Sequence, residues 1–432
     1  MKKNLKLIYL AIFIINLIII PQYNYSTYNP PEILNSKEIL GAWAVDFSQY
    51  YSAALALKNG ENFYDTDLIY KIGKDKGAFN SQMDYLYPPF FLFFIIPFTF
   101  LPFKLASILW LSLNQIFIVA LIFISLAIFK AKSKDLLCFS FGLIGIFYPV
   151  FYELRLGQAD LIVGILLYLS LYLILRKKII LGSILYSLSC CLKLSPIILI
   201  AYFFRKKFFK ILALSLAATL IIIIGSNSLI KKDIVNNYFL KILPGLATSS
   251  KFMDLNRQDS DKNYLQLNQS LGSLVEKAFL LKTGLRDYSR SLSAVKIYSF
   301  FLRLAAFLPV LILLKSNKTR YNLLAWEVSI IIVVMLLVNS GSFLYHFSIL
   351  ILPICGVLKF LSDNYKRIPI NYYALFIISF ILLGFRLGYN LVPLDNLLLF
   401  WGSSKLFGLI IFLCLLIKIY RYNLQHNLHY EK

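Results

Sequence analysis

The stretch ASILWLSLNQIFIVALIFISLAIF, Ala106 to Phe129, runs for 24 residues without a charge, and Lys130-Ala131-Lys132-Ser133-Lys134 follows it directly. At ~1.5 Å per residue a helix of this length exceeds the ~30 Å hydrocarbon core of a bilayer. A helix also satisfies every backbone N–H and C=O internally, which lipid demands. The lysine run that ends it marks the cytoplasmic side. One stretch thus gives both a span and its direction.

Working outward, the same pattern recurs. Further spans are expected at about 5–21, 136–152, 159–175, 179–192, 195–204, 209–230, 294–314, 322–339, 343–360, 370–388 and 399–419. Basic runs at Lys2-Lys3, Arg176-Lys177-Lys178, Arg205-Lys206-Lys207, Lys315 to Arg320, Lys359 to Arg367 and Lys418 to Arg421 are placed in the cytoplasm. Alternation then puts both termini inside and gives about twelve crossings. The expected fold is an all-α polytopic membrane bundle, one integral-membrane domain over residues 1–432.

Composition agrees. The 432 residues are 59% hydrophobic and only 15% charged, against about 25% charged in soluble domains. The net charge of +23 lies in short runs between spans, which points to anionic lipid rather than nucleic acid as partner. Cys138, Cys190, Cys191, Cys355 and Cys414 all fall in apolar segments, with neither a disulfide framework nor a metal spacing. The first segment lacks a small-residue cleavage site and reads as an uncleaved span.

Two places depart from simple alternation. Tyr87-Pro88-Pro89 to Phe103 is short and ends in Leu101-Pro102-Phe103, so it is expected to be re-entrant or interfacial. The pair 179–192 and 195–204 is broken at Lys193-Leu194-Ser195-Pro196, with its vertex below the outer surface. Two polar loops, about 22–87 and 231–293, face outside. The first carries a juxtamembrane helix over 47–59.

The distinctive polar residues gather on that outer side. Asp46-Phe47-Ser48-Gln49 has capping-box spacing, with Asp46 as N-cap and Gln49 at N3. Asp46 is equally placed as a general base, because Trp43, Tyr50 and Tyr51 would desolvate it and raise its pKa. Lys193, at depth in a broken helix, calls for an anionic partner, serves as a point charge for phosphate, or snorkels to the interface. Glu153-Leu154-Arg155 and Gly157-Gln158 lie at an outer turn; they form a helix stop with a rim ion pair, or Arg155 and Gln158 line a polar cavity. Asn268 and Gln269 offer amides to sugar hydroxyls or phosphate. His346 opens a span on the outer side and is either an interhelical hydrogen-bonder or part of the site. Arg386 is a further outer cation or a snorkelling one.

Asp46-Phe47-Ser48-Gln49-Tyr50-Tyr51-Ser52-Ala53-Ala54, Gly60, Phe63-Tyr64-Asp65, Tyr87-Pro88-Pro89, Pro97-Phe98 and Leu101-Pro102-Phe103 resemble the opening motifs of glycosyltransferase family 87. Gly157-Gln158, Lys193-Leu194-Ser195-Pro196, Asn268-Gln269-Ser270-Leu271 and Ser342 to His346 continue the resemblance in order, over roughly residues 40–360. It implies a GT-C fold and transfer of a hexose, typically mannose, from a polyprenyl phosphate to a glycolipid or glycan outside the cytoplasmic membrane. Inversion at the anomeric carbon is implied too. Asp46 matches the family's base, and Lys193 and His346 match positions near the donor phosphate, with Arg155 or Arg386 as further cations. Gln49, Tyr50, Tyr87, Gln158, Asn268 and Gln269 are expected around the sugars. The sequence departs at Ser340, Phe343 and Tyr345, where the family has Pro, Trp and His, and at Ala159-Asp160, where Asn often follows Gly-Gln. No cofactor is called for, although Asp65, Asp67 and Asp84 leave room for a divalent ion. Rival readings are a flippase of lipid-linked sugars and an oligosaccharide ligase or polymerase.

Overall fold

A computed structural model describes residues 3–27, 43–78, 84–248, 268–314, 321–385 and 402–429. Every regular element among them is helical. In chain order these are α1 (Lys3–Thr27), α2 (Val45–Lys58), α3 (Thr66–Asp75), α4 (Pro89–Phe100), α5 (Phe103–Ile128), α6 (Lys134–Gly145), α7 (Tyr148–Leu156) and α8 (Asp160–Leu175). Then follow α9 (Ile179–Leu192), α10 (Ser195–Arg205), α11 (Phe209–Asn227), α12 (Lys232–Asn237, continued as helix to Thr248), α13 (Leu271–Leu313), α14 (Tyr321–Val338), α15 (Leu344–Asp363), α16 (Asn371–Gly384) and α17 (Ser404–His429).

Five of the described helices, α1, α5, α11, the Ala294–Leu313 part of α13, and α15, are long and apolar enough to cross a membrane. The pair α6 and α7, bent by 60°, makes a sixth. Of the other expected spans, α8, α9, α10, the Leu323–Val338 part of α14, and α16 are apolar helices of 10–17 residues, while α17, of 26 residues, begins within the last expected span. The protein is thus a helical, multi-pass membrane protein, and the count of about twelve crossings is not reached by length. The helix of α13 starts at Leu271, within the expected polar stretch 231–293, and runs 43 residues into the apolar part Ala294–Leu313.

The break points follow expectation. α4 has too few residues to cross, and Pro88 and Pro102 stand immediately before α4 and α5. Tyr51 on α2 donates to the Leu101 carbonyl at 2.7 Å and fastens the return of this hairpin. Between α9 and α10, Lys193 is extended (φ −150°, ψ 135°). Tyr186 donates to the Pro196 carbonyl at 3.0 Å and ties the two helices across the break.

The basic runs form tight turns. Lys130, Lys177 and Lys207 have φ of 55°, 63° and 59°, each just beyond the end of a helix. At each, the next N–H reaches back five residues: Ala131 to Leu126 at 2.8 Å, Lys178 to Leu173 at 2.9 Å, Phe208 to Phe203 at 2.9 Å. These are Schellman turns, with a cation near the negative end of the helix dipole. Contacts draw the basic ends together. Lys6 pairs with Asp135 at 2.6 Å, and Lys206 with Glu327 at 2.6 Å, while Tyr420 donates to Glu327 at 2.9 Å.

α15 is the central helix, with 89% of its apolar window buried, against 17% for α1 and α11. Small residues let helices close. At Gly145 an added Cβ would stand 2.8 Å from the Phe13 Cα and 3.0 Å from its N, both backbone atoms of α1. Gly145→Ala is therefore expected to destabilise by about 1–3 kcal/mol through overpacking. Gly225→Ala, where a Cβ meets nothing within 4 Å, serves as control. Thermal unfolding in detergent checks this: a lower Tm for the first variant and no loss for the second.

Candidate active site

The end of the bundle away from the basic turns holds the polar centre. α2 enters it under local constraint. Ala44, not Asp46, is the N-cap, in the left-handed region (φ 55°, ψ 26°) with no side-chain cap. Asp46 sits one residue inside the helix, in its first turn. The capping-box reading of Asp46 and Gln49 is therefore overturned. Ala44 holds its strained backbone by donating to the Arg155 carbonyl at 2.8 Å, while its own carbonyl accepts from Ser48 at 2.9 Å.

Opposite, α7 ends at Gly157, which is left-handed (φ 70°). A Cβ there would lie 2.9 Å from the Phe47 Cβ and 3.2 Å from the Tyr25 hydroxyl. Only glycine meets both demands. Trp110 on α5 donates to the Gly157 carbonyl at 2.9 Å. This close approach carries Gln158 to Asp46, and Gln158 Nε2 donates to Asp46 Oδ2 at 2.5 Å. Gln158 Oε1 accepts from Tyr50 at 2.9 Å and from Tyr87 at 2.8 Å.

Asp46 is half-buried, on a helix outside the spans. Burial pushes its carboxyl up to about 7, with Asp160 adding to the rise and Gln158 and Lys193 opposing it. Oδ1 has no hydrogen-bond partner among the described residues. A carboxyl at that value ionises near neutral pH and can take a proton there.

Lys193 stands near enough to Asp46 for its charge to favour the ionised carboxyl. Its Nζ lies 2.8 and 2.7 Å from the two oxygens of Asp160. The Tyr87 and Tyr345 rings flank it, each with its centroid 5.5 Å away. The snorkelling reading of Lys193 is overturned, since a buried carboxylate holds it. His346 Nδ1 accepts from the Phe343 N–H at 3.2 Å, so Nε2 carries the ring proton in the neutral ring. That Nε2 lies 3.9 Å from Asp160 Oδ2.

Asp160 is the residue that sequence reasoning did not place in the site. Its signal was available: a lysine at depth requires an anion, and Asp160 opens α8 two residues after Gln158. Glu153 was read as half of a rim ion pair. It is instead fully buried, and its Oε1 accepts from the Asp160 and Leu161 N–H groups at 2.8 and 3.2 Å, capping α8. That replaces the rim-pair reading.

The remaining expected residues divide. Tyr50, Tyr87 and Gln158 meet at Asp46, and Gln49 is buried on α2. The Arg155 guanidinium lies over the Tyr152 ring at 5.9 Å. The amides of Asn268 and Gln269 are engaged with the protein itself. Asn268 bridges the Ser340 carbonyl at 3.1 Å and the Ser342 N–H at 3.0 Å, and Gln269 donates to the Gly402 carbonyl at 2.7 Å. They staple the start of α13 to the turn before α15 and the turn before α17. Arg386 lies outside the described residues. Asp65 caps α3 through the Leu68 N–H at 3.1 Å, and Asp84 accepts from Thr66. Among the described residues, no three His, Cys, Asp or Glu side chains gather as a metal-ligand set.

A family model described as glycosyltransferase family 87 matches residues 85–348, more than half of the chain. Tyr87, Gln158, Asp160, Lys193, Asn268, Gln269 and His346 fall inside the match; Asp46, Gln49 and Tyr50 precede it. No curated protein matches the chain.

The buried ion pair gives a direct test. Asp160→Ala strands the Lys193 ammonium and is expected to cost about 3–5 kcal/mol of stability. Adding Lys193→Met should restore much of it, as read by thermal unfolding of both variants beside the parent.

Proposed function

The chain belongs to glycosyltransferase family 87, and on that premise we propose that this membrane glycosyltransferase moves a hexose, mannose in the first instance, from a polyprenyl-phosphate donor to a glycolipid or glycan acceptor. The reaction runs on the extracytoplasmic face of the cytoplasmic membrane and inverts the anomeric carbon. The observation that carries the reading is a juxtaposition: Asp46, held by Gln158, lies within electrostatic reach of Lys193, whose ammonium sits by the Tyr87 and Tyr345 rings. Sidedness is supported by the position of this pair at the end opposite the basic turns.

In the proposed reaction the acceptor hydroxyl gives its proton to Asp46 Oδ1. Its oxygen attacks C1 of the donor sugar in line. The bond from C1 to the phosphate oxygen breaks, and the polyprenyl phosphate leaves with the electron pair. Lys193 and His346 meet the charge that develops on the phosphate, and Arg155 and Arg386 add to the positive potential around it. Each such interaction is worth about 2.7–4 kcal/mol where one oxyanion donor has been removed in other enzymes. Lys193 then exchanges part of its bond to Asp160 for the phosphate. Fixed cations take the place of a metal in this scheme. The aromatic rings of Tyr87 and Tyr345 wall the hexose.

The sign of the pH dependence follows from Asp46. Its carboxyl titrates at about 7 in the folded protein, above the ordinary ~3.9 of an unfolded chain. The folded state binds more protons between those values, so its stability falls as pH rises through that window. Turnover rises over the upper part of the same range, because the base must be ionised. Asp46→Asn should lower kcat by about 10²–10⁴-fold without lowering the Tm at pH 8. The assay is glycosidic product formed by detergent-solubilised protein from polyprenyl-phosphate hexose and a total lipid extract, run with and without EDTA. Retained turnover in Asp46→Asn removes the base assignment, and loss of parental turnover in EDTA removes the metal-free scheme.

A further inference from the structure

Beside Asp46, three side chains form a chain of donors that all point one way. Tyr50 and Tyr87 hydroxyls stand 2.9 Å apart, and both lie within 2.9 Å of Gln158 Oε1. Gln158 Nε2 is 2.5 Å from Asp46 Oδ2. A phenol has a single proton to donate, and Tyr87 can give its own to Gln158 while accepting from Tyr50. The amide's acceptor end therefore takes the Tyr87 proton, and the Tyr50 proton in turn supports the Tyr87 oxygen. Turning it over would forfeit that arrangement and set its carbonyl against a carboxylate oxygen.

The rings that carry these hydroxyls are wedged. Tyr50 meets Phe91 edge-on at 4.9 Å, Tyr87 stacks on Phe91 at 4.7 Å, and the two tyrosines meet edge-on at 5.0 Å. Gln158 is itself buried, next to the left-handed Gly157. Neither hydroxyl can be moved without repacking α2 against α4.

We infer that Tyr50 and Tyr87 are positioning residues, which lock the Gln158 amide so that its NH₂ end faces Asp46 and holds that carboxyl as an acceptor. This rests on Asp46 being the base and replaces the sugar-binding role expected of Tyr50. Donation along such a chain polarises each bond in turn and strengthens the last one. An unlocked amide can instead accept a proton from a neutral Asp46, and the acid form gains. The other groups around Asp46 are Lys193, which favours its ionised form, Asp160, which opposes it, and Tyr25, whose hydroxyl donates to the Leu154 carbonyl at 2.7 Å. Glu153 lies behind them, capping α8, and Arg155 binds the entry of α2 through its carbonyl.

The test needs no substrate. The carboxyl C=O band of Asp46, assigned by its loss in Asp46→Asn, is titrated by infrared spectroscopy in Tyr87→Phe, Tyr50→Phe and the double variant. The midpoint is expected to move alkaline by about one pH unit in the double variant, a tenfold change in the proton equilibrium. Product formation, measured in parallel, should fall near neutral pH and recover at alkaline pH, which a packing defect would not allow. The half-buried Tyr87→Phe alone carries the test if the double variant fails to fold. An unchanged midpoint overturns the inference while leaving Asp46 as base. Full turnover by Asp46→Asn overturns both.

Discussion

A largely buried lysine paired with a buried carboxylate organises this end of the molecule. Lys193 sits where α9 breaks, and its ammonium is held by both oxygens of Asp160, the first residue of α8. An unpaired cation at that depth would be untenable, so the break, the ion pair and the start of α8 are one unit. Glu153 fixes the same helix start from below by accepting its first N–H groups. Gly157 and Gln158 lie in the short turn between Glu153 and Asp160 and have little freedom left. Asp46 is then presented to Gln158 by α2, whose entry is bound to the Arg155 carbonyl. The spans act as scaffold for this turn.

The site combines two electrostatic states at close quarters. Asp160 is neutralised by a bidentate cation and serves structure. Asp46 has a single amide donor, and burial lifts it to about 7. Two neighbouring carboxylates are thereby given different tasks by their partners. The rings of Tyr87 and Tyr345 link the two halves, since both face Lys193 and Tyr87 also binds Gln158.

Much of this was legible in the sequence for reasons of period and charge. Long apolar runs closed by lysines located nearly every helix, because lipid imposes a length and the cytoplasm a sign. The break at Lys193 and the short hairpin before Pro102 were legible because proline interrupts a helix and a lysine inside an apolar run marks a break in it. What failed depended on contact between distant segments. The N-cap of α2 is a left-handed alanine supported by Arg155, 111 residues on, and no local pattern encodes it. Asp160 and Lys193 meet through the α8–α9 hairpin, so a partner for the lysine was foreseeable but its identity was not. Asn268 and Gln269 read as amides for sugar hydroxyls or phosphate, and their bonds to Ser340, Ser342 and Gly402, set by tertiary packing, were not legible. The count of crossings stays at five or six by length, because several apolar helices are shorter than a bilayer is thick.

The central claim is spatial, and bound donor tests it most directly. The measurement is an experimental structure of the protein with a non-transferable polyprenyl-phosphate hexose analogue. The account predicts phosphate oxygens within ~3 Å of Lys193 Nζ and the anomeric carbon facing Asp46 Oδ1 across an opening wide enough for a hydroxyl. A phosphate seated elsewhere, with Asp46 turned away from the sugar, would contradict it.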